Sequence, residues 1–578
     1  MRKIRHFFLT TLAVLCSTLT TWADPYGGTP AAPTQISGNY ANYDLSADYD
    51  GYYVISTAEE LYGFAELVNN GSNSAGYAKA VLTDDIVVNL NVPADGNLNG
   101  ATMHSWTPIG TTSKSFKGTF DGNGHTISGL YFENTTNDKF PYGGNYVGLI
   151  GYADGATIKN VGVVDSYIKG NYGVGGICGD GGSGTQTNCY NTGTVSGSST
   201  FVGGICGKGG TQTNCYNTGT VSGSSSYVGG ICGGHGTQTN CYNTGMVSGS
   251  NDVGGICGYD GTTTNCYNTG SVSGTKYVGG ICGGGSIYSK QTKCYNTGTV
   301  SGSSNNVGGI CGYGGTQTNC YNTGTVSGSS YSVGGISAQG GTQTNCYYLA
   351  GCAKDGSGVV QNGVGNGTKG KTTADNLGMT ISSTTDDFAN GKVTYGLNGS
   401  TSEGNLVWYQ TIGTDALPVW DNTHAVVFAT QPCPSFSNDE NNTHKEHPLD
   451  ATGHCTDCGQ FVAQGTLVTE SNYSSYGLTA DFIDYYAISN SGELYWLAKE
   501  VNNGNATINA VLTADIVVNL NVPADGNLNG ATMYSWTPIG TKDKPFAGTF
   551  DGNGHTISGL YFENTTNSNY PDGGNYVG

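Results

Sequence analysis

Apolar residues in the middle of this chain recur in a fixed phrase. Between about residues 172 and 348 the order is V-G-G-I-C-G, a short polar stretch, then N-C-Y-N-T-G-T-V-S-G. Copies begin at Val174, Val202, Val228, Val253, Val278, Val307 and Val333, at spacings of 25 to 29 residues. A period of that length marks a stacked repeat. Each unit has too few apolar side chains to close a core alone, so stacking has to supply the core. Val, Ile and the second Val of each unit (Val195, Val221, Val247, Val272, Val300 and Val326) predict short strands and inward columns, spaced about 4.8 Å from rung to rung. Asn188, Asn214, Asn240, Asn265, Asn319 and Asn345 are expected to stack at a bend, amide on amide or on turn backbone. The predicted fold class is all-β, a parallel β-helix or β-solenoid. The pattern itself does not set the hand, although right-handed crossovers are the general preference.

The periodicity changes outside the repeats. Ser56-Thr57-Ala58-Glu59-Glu60 reads as a capping box, and Leu61, Phe64, Leu67 and Val68 follow at helical spacing until Asn70-Gly71. Such a helix would cover the open end of the solenoid and shield a sheet edge from pairing with other chains. Short strands are expected around 80–90 and 116–120. The turn Asp121-Gly122-Asn123-Gly124 reads as a loop within a strand pair leading into 125–132. It is no calcium loop, because Phe132 stands where the bidentate acid belongs.

A larger repeat encloses the smaller one. Residues 79–136 recur almost verbatim at 509–566, and the likeness reaches back to S-G-N-Y at 37 and E-S-N-Y at 470. The chain is therefore read as tandem modules, the second stopping at Gly578 where the first continues into its repeats. The expected divisions are a signal peptide at 1–23, a linker at 24–36, and a cap helix with the leading rungs at 37–171. The Cys/Tyr repeats follow at 172–352, a closing segment at 353–430, a Cys/His linker at 431–464, and the start of a second module at 465–578.

Composition narrows the setting. The 578 residues include 97 glycines and 39 tyrosines but only 11% charged residues. Gly and Ser at this density are a mark of disorder, yet here they are phased with Val, Ile, Cys and Tyr, which argues for order. A net charge of -20 argues against nucleic acid or an anionic membrane surface as partner. The acidity lies in the flanks, since residues 172–348 hold only Asp180, Asp252 and Asp260 against Lys208, Lys276, Lys290 and Lys293. The N-terminus places Arg2, Lys3 and Arg5 before a short apolar run and a small-residue exit at Ala23, the pattern of a cleaved secretion signal. No other segment is apolar over the length that a membrane helix needs.

Export makes disulfides available. Six units carry one Cys after Ile and a second after Asn. A degenerate unit upstream has Gly151 and Val161 at the two places, and the last has Ser337 and Cys346 with Cys352 close behind. Gain and loss in pairs predicts bonds within each unit: Cys178–Cys189, Cys206–Cys215, Cys232–Cys241, Cys257–Cys266, Cys282–Cys294, Cys311–Cys320 and Cys346–Cys352. Each would contribute roughly 2 to 3 kcal/mol in the chain-entropy account. The alternative is a column of small buried hydrophobes. In the linker, Cys433, His447 (or His444), Cys455 and Cys458 have the spacing of a structural Cys3His zinc knuckle, a reading favoured because three cysteines cannot pair completely; the alternative is one disulfide with a free thiol. Zinc is the one cofactor the sequence points to.

The V-G-G-I-C-G and N-C-Y-N-T-G-x-V-S-G units resemble the GLUG repeat of bacterial secreted and surface proteins, and F-K-G-T-F-D-G-N-G-H-T-I-S-G-L resembles the segment that often precedes it. The likeness covers roughly 50–350 and 485–578. It implies a β-helical array at the cell surface or outside the cell, and it implies no reaction. Polysaccharide lyases and hydrolases use such scaffolds, but their chemistry needs facing carboxylates or a base with a cation. The repeats offer three isolated acids and His235, in a variable stretch that reads as a solvated loop. If each repeat Cys points inward, the next residue points out. Tyr190, Tyr216, Tyr242, Tyr267, Tyr295 and Tyr321, with Tyr347, then form one outward column. Such a column either docks a sugar or a partner protein, or stabilises the sheet by cross-rung stacking. The expected function is an adhesive, ligand-binding or spacing role without catalysis, the alternative being a polysaccharide-active enzyme.

Overall fold

The computed structural model describes residues 26–139, 143–286, 288–329, 332–365, 380–389, 391–398, 406–410, 415–420, 422, 424, 465–519, 522 and 536–563. The expected signal peptide and zinc knuckle lie outside the described residues. From Val174 on, each rung contributes to four parallel sheets of seventeen, eleven, nine and seven strands. The rung at Val202 shows the plan, with strands Val202–Gly203, Cys206–Thr213, Tyr216–Asn217 and Val221–Gly223. Register is like upon like: Val202 lies over Val228, Cys206 over Cys232, Tyr216 over Tyr242 and Val221 over Val247. The predicted parallel β-solenoid is what forms. Identical rungs in register pair strand N–H and C=O groups with those of neighbouring rungs, and the apolar side chains stack into one core from Tyr26 to Ala353.

Polar ladders thread this core. Asn191, Asn217, Asn243, Asn268, Asn296 and Asn322 are almost fully buried, and each Nδ2 up to Asn296 donates to the next Oδ1 at 2.8 Å. Gln186, Gln212 and Gln238 form a second ladder, and Gln291, Gln317 and Gln343 resume it after Thr263. The predicted bend asparagines form a third at the surface, with amide bonds of 2.9 to 3.2 Å and a left-handed backbone that Asn tolerates. Buried amide atoms without a partner fall at the ends and breaks of these ladders: Gln186 Nε2, Asn191 Oδ1 and Gln343 Oε1 at ends, Gln238 Oε1 beside Thr263, and Asn265 Oδ1 beside Lys293. Thr263→Gln should rejoin the second ladder and raise the unfolding free energy by about 1 kcal/mol, measurable by chemical denaturation.

The first module opens with the expected helix, Ala58–Asn70. Thr57 Oγ1 accepts from the Glu60 N–H, and Glu60 reaches back to the Ser56 N–H and hydroxyl. The second module repeats it at Ser491–Asn503, with Asn490 as cap. Residues 26–36, expected as linker, are packed: Tyr26 stacks on Tyr62 at 4.0 Å, and Thr34–Gln35 pairs antiparallel with Tyr53–Val54. The turn at Asp121 is a solenoid corner rather than a hairpin loop, because Thr119–Asp121 and Thr126–Ser128 belong to different parallel sheets. Burial raises the Asp121 carboxyl, but hydrogen bonds from Asn123, Lys159, Asn160 and Tyr49 outweigh it and hold the group below the usual carboxylate range.

The seven expected disulfides are corrected by this geometry. All fourteen repeat cysteines are free and buried. Cys178–Cys189, Cys206–Cys215, Cys232–Cys241, Cys257–Cys266, Cys282–Cys294 and Cys311–Cys320 do not pair: the first member of each heads a strand of one sheet, the second stands just before a Tyr-Asn strand of another, and the thiols stack on their counterparts from rung to rung. Cys346–Cys352 is also unformed, and Cys352 Sγ accepts instead from Asn322 Nδ2 at 3.5 Å. The paired gain and loss has a packing cause. The two positions are core columns of the same rungs; in the first, Ile150 rather than the expected Gly151 lies below Cys178, and Ser337 lies above Cys311. Burial holds the Cys189 and Cys266 thiols well above their ordinary range and pushes Cys352 up to about 12. Alkylation mapped by mass spectrometry should therefore label none of the fourteen in the native chain and all of them after denaturation without reductant. Unlabelled cysteines after denaturation would reinstate the bonds.

Candidate functional site

Tyr190 to Tyr347 occupy the column that follows the second core cysteine. Consecutive rings from Tyr190 to Tyr321 lie 4.8 to 4.9 Å apart and within 7° of parallel. At that separation parallel rings cannot lie side by side in one plane without clashing, so they stack in offset fashion with each face turned toward a neighbour. What reaches solvent is a strip of ring edges and hydroxyls rather than the flat platform that outward phenols would suggest. Burial raises the phenols, to about 12 for Tyr216 and Tyr242, so they remain protonated donors at neutral pH.

The column is not uniformly open. Beyond Ala353–Lys354 and Thr380–Ser383, which still pair with the solenoid, the closing segment turns onto its flank. Trp408 lies 5.4 Å from Tyr321, Trp420 lies 5.1 Å from Tyr295 and 5.8 Å from Tyr267, and Tyr321 donates to the Pro418 carbonyl. Tyr321 is left 1% exposed, whereas Tyr190, Tyr216 and Tyr242 stay half-buried with no such cover among the described residues. The candidate strip thus contracts to these three residues.

A second aromatic column escaped the sequence reading. From Val147 to Val307 the residue before each V-G pair sits at a corner with positive φ, and aromatic rings hold that place at Tyr146, Phe201, Tyr227 and Tyr277, with φ from 57° to 67°. Equivalent corners use Gly173, Asp252 and Asn306. The readable signal is the aromatic residue directly before V-G-G or V-G-L; its backbone conformation is not legible from composition. Facing this column, two residues after the first core cysteine, are Asp180, Lys208, Tyr259 and Tyr313. His235, expected as a solvated loop residue, is exposed and lies 5.4 Å from the Phe201 ring.

Cys433, His447, Cys455 and Cys458 lie outside the described residues. Among the described residues no group of three or more His, Cys, Asp or Glu is placed to hold a metal ion, and no helix is long and apolar enough to cross a membrane.

No family model matches this chain. Halomucin from Haloquadratum walsbyi is 29% identical over 167 residues, which is 28% of this chain and 2% of halomucin, so the chain spans a very small part of that relative. Among solved structures, a candidate immunoglobulin A1 protease from Bacteroides ovatus is 20% identical with a TM-score of 0.32, covering 64% of this chain and 92% of that one.

Proposed function

We propose that this chain is a non-catalytic repeat protein, displayed outside the cell, that uses its solenoid as a rigid adhesive support. The observation that carries this reading is the uncovered end of the tyrosine column, where Tyr190, Tyr216 and Tyr242 offer the same row of edges and hydroxyls rung after rung. Repetition converts a weak contact to a sugar or a surface protein into a multivalent one. The basic and apolar N-terminus and the likeness of the units to GLUG repeats support export. The test is a glycan array with the intact chain and with Tyr190→Phe, Tyr216→Phe and Tyr242→Phe combined. That variant keeps the stack and removes the hydroxyls. Binding to at least one arrayed glycan should fall at least about tenfold, since each hydrogen bond contributes about 1 kcal/mol. Unchanged binding to every arrayed glycan would reject the strip, and release of reducing or unsaturated ends from any polysaccharide would reject the non-catalytic reading.

A further inference from the structure

The corner column and the one facing it make a second surface, apart from the tyrosine ladder. Their rings do not lie flush. Phe201 and Tyr227 are tilted by 38°, Tyr227 and Tyr259 by 37°, and Tyr277 and Tyr313 by 46°, so the rings are not stacked in parallel as in the ladder, and Phe201 itself is buried. Tyr227, Tyr259 and Tyr277 are partly exposed and Tyr313 is 43% exposed. A bulky residue with positive φ is strained, and neighbouring rungs make the same corner with Gly or Asn. The turn therefore does not require these rings, and the strain is carried for what they present.

Polar groups sit between the rings. Asp252 takes the corner between Tyr227 and Tyr277, and its Oδ1 fills the place where a side chain on Gly284 would stand. No described residue donates a hydrogen bond to that carboxylate. Burial, followed by the neighbouring Cys282, pushes it up to about 7 against the pull of Lys276, so near neutrality it both donates and accepts. Lys276 lies 4.3 Å from the Tyr277 ring centre and Lys208 lies 5.7 Å from that of Phe201. The three acids here, Asp180, Asp252 and Asp260, stand against these two lysines, and Asp252 is divided near neutrality between its charged and neutral forms, so the strip carries little net charge to attract a polyanion or a polycation.

We infer that this strip binds a neutral, hydroxyl-rich polysaccharide laid along the solenoid axis, its C–H faces on the tilted rings and its hydroxyls on Asp252. A rung rise of about 4.8 Å is close to the length of one sugar unit, so successive units meet successive rungs. Affinity electrophoresis of the full chain through gels containing dextran, mannan, mixed-linkage β-glucan or polygalacturonate tests it. At least one neutral polymer should retard the chain. Tyr227→Asn with Tyr259→Ala should weaken that binding about tenfold, the worth of two ring contacts. Asn relieves the corner, as at Asn306, so the melting temperature should not fall with Tyr227→Asn alone. Asp252→Gly, which keeps the corner as Gly173 does, should weaken binding as well, whereas the phenylalanine variants of the ladder should leave it intact. Retardation by no neutral polymer, stronger retardation by polygalacturonate, undiminished binding by the Tyr227/Tyr259 variant, or loss only in the ladder variants would overturn the assignment.

Discussion

Replacing Asn243 by Ala is expected to lower the unfolding free energy by about 4 kcal/mol, because buried amide groups on both sides lose their partners at about 1–3 kcal/mol each. Asn217 Nδ2 would lose the Asn243 Oδ1 that it now reaches at 2.8 Å, and Asn268 Oδ1 would lose its donor. The Gly245 carbonyl would lose the same amide. No side chain nearby can substitute, since Gly230 packs against Asn243 and Gly255 against Asn268, and neither place leaves room for one. Asn240→Ala supplies the comparison. Asn240 makes the same kind of amide bond, at 3.2 Å, in the surface ladder, where water can take over, so the cost there should stay below about 1 kcal/mol. Equal effects in denaturant melts would show that burial is not what makes the inner ladder count.

Gly254→Ala is expected to be still more damaging, beyond the roughly 1–3 kcal/mol of ordinary overpacking. A Cβ at Gly254 would stand 2.0 Å from the Cys257 carbonyl oxygen and 2.8 Å from both Gly283 N and Ile281 O. All three are backbone atoms, and two belong to the next rung, so relief requires opening the stack. At Gly274 the nearest atoms are the Val253 and Val278 methyls, at 2.9 Å, which can yield. Gly274→Ala should therefore stay within the ordinary range. Hydrogen exchange should show the Gly254 variant losing protection in the rungs around residues 253–283 while the helix Ala58–Asn70 keeps its own, as nearest-neighbour stacking predicts. Uniform loss along the chain would contradict that.

The solenoid was legible because its period is written in the residues themselves. Each V-G-G-I-C-G phrase can bury its Val, Ile and Cys only against another copy, and Asn at the bend has both a left-handed backbone and an amide to share. Less legible was the partner of each buried group. Cysteines that come and go together look like bonded pairs along the chain. Parallel in-register stacking instead puts Cys206 on Cys232 and leaves Cys215 at the edge of a different sheet, just before the strand Tyr216–Asn217. The tyrosine column was found in the right place, yet the orientation of its rings and its cover by Trp408 and Trp420 depend on a segment about 100 residues downstream. The corner aromatics were overlooked because their meaning lies in a backbone angle, not in their spacing.

The sequence by itself determined the repeat length, the inward columns, the stacked bend asparagines and the helix at the head of each module, since all of these follow from contacts between residues a few positions or one period apart. Only the tertiary structure decided which thiols face each other, which tyrosines stay open and which aromatic faces are presented. Those properties depend on how one rung is seated on the next and on where the closing segment lies, and such long-range packing leaves no period in the chain.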